Sequence, residues 1–314
     1  MKTNFKKMNL SYLLCTFLVL SVISCQEIDD FSGNPNFNPR VETLITNFAA
    51  NDGLSIDKSG KLYASNFAGF RGAQVLKVDP RQAIVVDSIN DLRAPTGNTV
   101  DAVGNVYIVH NIRRISADTQ ETVADVIKIS KSGEKTVLAT LPGFPSGITL
   151  DKEGNIYVSN YALPVVHQIT MDGIVSEYVN STLLAGGVGI DFDNRNNLYV
   201  GNFVTGNIVK IDQSKNMSIF ATIPTVIENT VIGYISYASG AIFATAIGEN
   251  VIYKVDMEGN ASVFAGNGIK QTADGSLLES SFNLPNGIVA DGIRKVIYIS
   301  EADPTGSLRV IKLR

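Results

Sequence analysis

Hydrophobic and polar positions alternate in short bursts along this chain, and one burst is repeated. From Gly147 to Tyr161 the sequence reads GITLDKEGNIYVSNY. Ile148 and Leu150 alternate with polar neighbours, as a half-buried strand requires. Asp151-Lys152-Glu153-Gly154-Asn155 supplies a turn: Gly154 can take a positive φ, and Asp151 can bond the turn's own backbone. Ile156-Tyr157-Val158 reads as the returning strand. The stretch predicts a β-hairpin. Five further versions open at Gly53, Gly97, Gly189, Gly233 and Gly287, at successive steps of 44, 50, 42, 44 and 54 residues.

Each hairpin uses 15 residues or so of its period, which leaves room for two more strands. Val75–Val78, Val126–Ile129, Ile208–Ile211 and Val251–Val255 read as third strands, and Thr136–Thr140 and Ser218–Thr222 as fourth strands. This period and strand count predict an all-β fold, a six-bladed β-propeller of four-stranded blades. The last period ends on its third strand, Leu308–Leu313, and Val41–Thr46 resembles a fourth strand. The N-terminal strand is therefore expected to complete the last blade and close the ring, which removes a sheet edge. A β-sandwich would give neither the period nor the matching ends.

The chain before residue 41 changes character. Lys2, Lys6 and Lys7 precede an apolar run from Leu10 to Val22, too short to span a membrane. Val22-Ile23-Ser24-Cys25 resembles a bacterial lipobox. The resemblance implies a signal peptide over 1–24, cleavage before Cys25 and lipidation of that cysteine. Residues 25–40, rich in Asn, Pro and acid, form a lipidated tether, and 41–314 form the propeller. Glu27, Asp29 and Asp30 resemble the acidic export tag of some surface-exposed Gram-negative lipoproteins. The expected location is the bacterial envelope, at the outer membrane, with the membrane engaged through the lipid alone. The only other cysteine, Cys15, lies in the leader, so no disulfide holds the mature domain. Without the leader the chain keeps 23 of its 26 basic residues against 30 acidic ones, a net charge of −7. That acidic body argues against a nucleic-acid partner.

The repeated Gly-x-x-x-Asp-x-x-Gly-Asn-hydrophobic-Tyr-Val pattern resembles the NHL-repeat family of six-bladed propellers, most clearly over Phe264 to Asp291. More distantly the chain is similar to the senescence-marker (SMP-30)/gluconolactonase family. That resemblance implies a divalent cation over the channel, held by oxygen ligands. Asp52 and Asn286 stand at matching positions, whereas Val188 and Ile232 cannot ligate a hard cation.

In a propeller, the loops entering the inner strand and leaving the second strand open on one face, around the channel. Two rings of residues are expected there. One precedes the inner-strand glycines: Asp52, Thr96, Ser146, Val188, Ile232 and Asn286. The other follows the second strands: Asn66, His110, Asn160, Asn202, Ala246 and Glu301. Asn66, His110, Asn160, Asn202 and Glu301 are the candidate ligand-binding set, because amides, an imidazole and a carboxylate can bond a ligand or metal. The plainer reading of the Asn residues is that they bond neighbouring loop backbone. The long segments His110–Ala124 and Ala265–Pro285 are expected on the same face. Asp57, Asp101, Asp151, Asp193 and Asp291 fall on the opposite face and read as turn caps, and His167 as a packed strand residue. No nucleophile elbow, phosphate loop, His-Glu-x-x-His or zinc-type cysteine spacing occurs.

These features point to a binding propeller that takes a small molecule, glycan or protein at the channel mouth, without catalysis. The alternative is a metal-dependent lactonase, hydrolase or lyase of the gluconolactonase type, with one Ca²⁺ or Zn²⁺ near Asp52 and Asn286. No cofactor beyond that cation is expected.

Overall fold

A computed structural model describes residues 38–224 and 231–313. The leader, Cys25 and the tether up to residue 37 lie outside the described residues. Six antiparallel sheets surround one axis. Blade 1 consists of Leu54–Ile56, Leu62–Ser65, Val75–Asp79 and Ile84–Ile89, from axis to rim. Blade 2 is Asn98–Val100, Val106–Ile115, Thr122–Ile129 and Lys135–Pro142, and blade 3 is Pro145–Leu150, Ile156–Asn160, Val165–Ile169 and Val175–Asn180. Blade 4 is Gly187–Phe192, Leu198–Asn202, Asn207–Ile211 and Met217–Thr222, and blade 5 is Ile232–Ala238, Ala241–Ala246, Val251–Asp256 and Ala261–Ala265. In blade 6, Pro285–Asp291, Val296–Glu301 and Leu308–Lys312 are followed outward by the N-terminal strand Arg40–Ile45, as expected from the matching ends.

Three sequence features make this ring. First, the repeated aspartate caps the turn below each hairpin. Asp151 Oδ1 accepts from Asn155 N–H at 2.8 Å, and its Oδ2 accepts from the Asn155 amide at 2.9 Å and the Tyr157 hydroxyl at 3.0 Å. Asp101 and Asp193 repeat the arrangement with Asn105 and Tyr107, and with Asn197 and Tyr199. Second, the inner-strand glycines let neighbouring blades touch. A Cβ on Gly147 would lie 2.1 Å from the Val188 carbonyl oxygen, and one on Gly287 would lie 2.0 Å from that of Asp52. Third, a second-strand hydroxyl bonds the next blade. Ser159 Oγ donates to Val188 O at 2.6 Å, Thr245 Oγ1 to Asn286 O at 2.7 Å, and Ser300 Oγ to Asp52 O at 2.9 Å. The apolar core lies between blades: Tyr199 and Ile208 of blade 4, for example, pack with Ile235, Ile242 and Val255 of blade 5. That burial is the main favourable term.

The two long segments behave differently. His110–Ala124 extends the second and third strands of blade 2 into a hairpin above the ring, paired as far as Ile115 and Thr122. Asp125 fixes its base, accepting from Arg114, Asn111 and Thr140 at 2.7 Å each. Ala265–Pro285 does not stay on the mouth face as expected. It turns over the outside of blade 6, where Gly275 and Ser276 pair with Val41 and Arg40. There it adds a fifth strand to blade 6 and covers the edge of Arg40–Ile45, the one outer strand that comes from the other end of the chain. Buried Arg309 fastens this cover, bonding Glu301 at 2.9 Å, Asp274 at 3.0 Å and the Ala273 and Ser281 carbonyls.

Candidate functional site

The loops entering the inner strands and leaving the second strands surround a cavity of about 820 Å³ on one face of the ring. Asp52, Thr96, Ser146, Val188 and Asn286 of the first expected ring line it. Ile232 is buried in the blade interface, and Tyr234, two residues further on, takes its place.

The second expected ring does not reach the cavity wall. Asn160 is buried and bonds loop backbone: its amide donates to Pro142 O at 2.7 Å, and its oxygen accepts from Phe144, Ala162 and Leu163 N–H. Asn202 does the same, donating to Ala185 O at 2.6 Å and accepting from Val204 and Thr205. Asn66 is not among the lining residues: its Oδ1 is buried, and its N–H donates to Gln74 O. Glu301 is fully buried; it accepts from Thr272, Asn283 N–H, Ser307 N–H and Arg309. His110 is half-buried in blade 2 opposite Asp125, and burial holds its pKa below the usual value. The structure therefore places these five side chains within the blades and loops, not on the cavity wall.

The next residue along does reach it. Phe67, Tyr161, Phe203, Ile247 and Ala302, each one position past the expected ring, all line the cavity. Phe70 and Phe144 join them from the loops. The rings meet edge to face in an unbroken arc: Phe67–Phe70 at 4.6 Å, Phe70–Phe144 at 5.9 Å, Phe144–Tyr161 at 5.8 Å and Tyr161–Phe203 at 5.9 Å between centroids. Such pairs stabilise one another and stiffen the wall. Phe70 and Tyr161 are each 41% exposed and Ile115 57%, so the lip of the cavity is apolar too.

The opposite side is polar. Asp52 Oδ1 accepts from Gly53 N–H at 2.9 Å and from the Tyr234 hydroxyl at 2.5 Å. Burial pushes the Asp52 carboxyl up to about 6; the bonds from Tyr234, Gly53 and Asn286 oppose that rise. The Tyr234 phenol lies well above its ordinary value, because it is buried beside that carboxylate. Tyr234 also lines a second, smaller cavity of about 150 Å³ along the axis, so its ring separates the two. In that lower channel Asp191 accepts from Tyr237 N–H at 2.8 Å and Phe192 N–H at 2.9 Å, and burial raises it likewise to about 6.

A divalent cation on Asp52 and Asn286 does not fit this donor set. Calcium takes about six to eight oxygens, and zinc favours nitrogen and sulfur. Among the described residues that line the cavity, Asp52 is the single carboxylate, and none is His or Cys. Among the described residues no cluster of three or more His, Cys, Asp or Glu side chains forms.

No family model matches this chain, and no curated protein matches it. Solved structures do. An auxiliary nutrient binding protein from Bacteroides thetaiotaomicron superposes with a TM-score of 0.70 at 16% identity, over 87% of this chain and 76% of that one. A gluconolactonase from Xanthomonas campestris gives a TM-score of 0.62 at 16% identity, over 87% and 89%. An inactive variant of virginiamycin B lyase from Staphylococcus aureus with quinupristin gives 0.59 at 18% identity, over 85% and 82%. At these identities the likeness establishes the shared fold: the chain has the six-bladed propeller architecture also found in gluconolactonases, virginiamycin B lyase and nutrient binding proteins.

Proposed function

We propose that this protein is a lipid-anchored envelope protein that captures a small molecule in its upper cavity and releases it unchanged. The observation that carries the reading is the cavity itself: about 820 Å³, walled by an aromatic arc, with one carboxylate facing it. Binding pockets are typically apolar, concave and furnished with a few placed polar groups. The nutrient binding neighbour supports the same reading by analogy of fold. The anchor rests on the lipobox-like Val22–Cys25. A thermal-shift screen of small molecules and glycans, repeated with Phe144→Ala and Tyr161→Ala, tests the binding. Hits that stabilise wild type but neither variant support it; hits indifferent to both variants overturn it. Fractionation of Cys25→Ala tests the anchor, which fails if that variant still matures and partitions with membranes.

A second reading, cleavage of the bound molecule, is favoured by one feature. A carboxylate titrating near 6 inside the cavity is suited to act as a general base at neutral pH. Mass spectrometry of each hit after incubation with the protein separates the two readings, since capture returns the ligand intact.

A further inference from the structure

The cavity is lopsided, and the lopsidedness bears on its ligand. Its aromatic wall is contributed by blades 1, 3 and 4 and the loop into blade 3, whereas Asp52, Tyr234 and Asn286 lie where blades 5, 6 and 1 meet, and Thr96 and Ser146 line it at the entries to blades 2 and 3. Most of the polar donors there are already committed. The Thr96 hydroxyl donates to Ser146 O at 3.2 Å, and the Ser146 hydroxyl to Phe144 O at 3.2 Å. The Tyr234 hydroxyl donates to Asp52, and the Asn286 amide to Asn51 O. What these groups still offer is acceptor capacity: hydroxyl lone pairs, and the remaining lone pairs of the Asp52 carboxylate, which already accepts from Gly53, Tyr234 and Asn286.

Among the described residues the lining holds no Lys, Arg or His to balance Asp52; its other ionisable groups there are the phenols of Tyr161 and Tyr234. A site of acceptors with one uncompensated carboxylate favours a ligand that donates hydrogen bonds and carries positive charge. It disfavours carboxylates and phosphates. A sugar would need many paired donors and acceptors, and most of the donors here are engaged. The aromatic arc adds to the same preference, because ring faces attract cations and pack against flat apolar bodies.

We propose that the cavity binds an amphipathic cation: a flat, ring-bearing apolar body held by the arc from Phe67 to Phe203, with a protonated amine directed at Asp52. The proposal rests on the reading of the cavity as a binding site.

Three matched fluorescent probes test it: pyrenylmethylamine, pyrenylmethanol and pyrenylacetate, followed by anisotropy against the mature protein. The amine is expected to bind about tenfold or more tighter than the alcohol, and the acetate weakest. Asp52→Asn should remove the amine's advantage and change the alcohol's affinity about twofold or less. Wild type alone gives a second readout should that variant fold poorly. Below about pH 6, amine affinity should fall by up to about tenfold per pH unit, while alcohol affinity stays level. Equal binding of the three probes, with sensitivity to Phe144→Ala, overturns the cationic class but leaves the cavity standing as a binding site. Probe binding indifferent to Phe144→Ala overturns both. Binding of none of the three overturns the proposal, and the capture reading then depends on the screen alone.

Discussion

The Tyr234 hydroxyl reaches Asp52 across the axis, 2.5 Å from Oδ1, and joins blade 5 to blade 1 past the intervening blade 6. One bond thus closes the bottom of the upper cavity and holds the only carboxylate among its described lining residues. Because it lowers the Asp52 pKa against the rise due to burial, removing it should raise that pKa further. Tyr234→Phe is expected to shift the Asp52 carboxyl above about 6 in a carbon-13 NMR titration. It should also cost about 1–3 kcal/mol in denaturant unfolding, as loss of a hydrogen bond to a charged group does. An unchanged titration would mean that the bond is not formed in solution.

The lower carboxylate gives a prediction about pH. The folded pKa of Asp191, about 6, lies above its ordinary value of 3.8. A group raised in the folded state contributes its stability fully below the unfolded pKa and loses it as pH rises through the folded one. Between about pH 4 and pH 6 this residue should therefore cost the fold about 3 kcal/mol as it ionises. Asp191→Asn should remove about half of the slope of unfolding curves taken across the window, Asp52 supplying the rest. A variant as pH-dependent as wild type would place the titration elsewhere.

The hydroxyls between blades should matter out of proportion to their size. Ser300 Oγ accepts from Gly287 N–H at 3.1 Å and donates to Asp52 O, within blade 6 and across to blade 1. Ser300→Ala is expected to cost about 1–3 kcal/mol, because it leaves buried backbone groups unpaired. Ser300→Thr keeps the hydroxyl and should recover part of the loss. Chemical denaturation of the two variants checks both statements.

The seam of the ring depends on an ion pair. Arg309 and Glu301 are both fully buried and 2.9 Å apart. Removing Glu301 leaves Arg309 with only the half-exposed Asp274 as counter-charge and strips the acceptor from Thr272, Asn283 N–H and Ser307 N–H, a loss of about 3–5 kcal/mol. Glu301→Ala is therefore expected to melt well below wild type, and Glu301→Gln, which keeps an acceptor for those N–H groups, should recover part of the difference. If Glu301→Ala melts with wild type and loses ligand instead, the residue acts at the cavity after all.

The fold was largely legible because its rules are local and repeated six times. The Asp151 cap, the alternation from Ile156 to Val158 and the inner glycines act over a few residues. The cavity was harder to read because strand side chains alternate direction, so a shift of one residue changes the face. Asn160 and Asn202 turn back to bond their loops, and Tyr161 and Phe203 carry the wall. The repeated Asn-aromatic pair in SNF, SNY and GNF was a usable signal. So was Tyr234, a large side chain where other blades carry Leu, Asn or Ile. Phe70 and Phe144 sit in loops with no period, and only the tertiary fold brings them together. The course of Ala265–Pro285 follows from the edge it covers, which no local pattern encodes.

The direction of the N-terminal strand has a consequence for orientation. Arg40 pairs with Lys312 and Ile45 with Leu308, and Lys312 lies at the capped-turn end of blade 6, opposite the cavity. The chain thus enters the propeller from the far side. If Cys25 is lipidated as proposed, a pull along the tether would act on the turn face, the side of the propeller opposite the aromatic mouth.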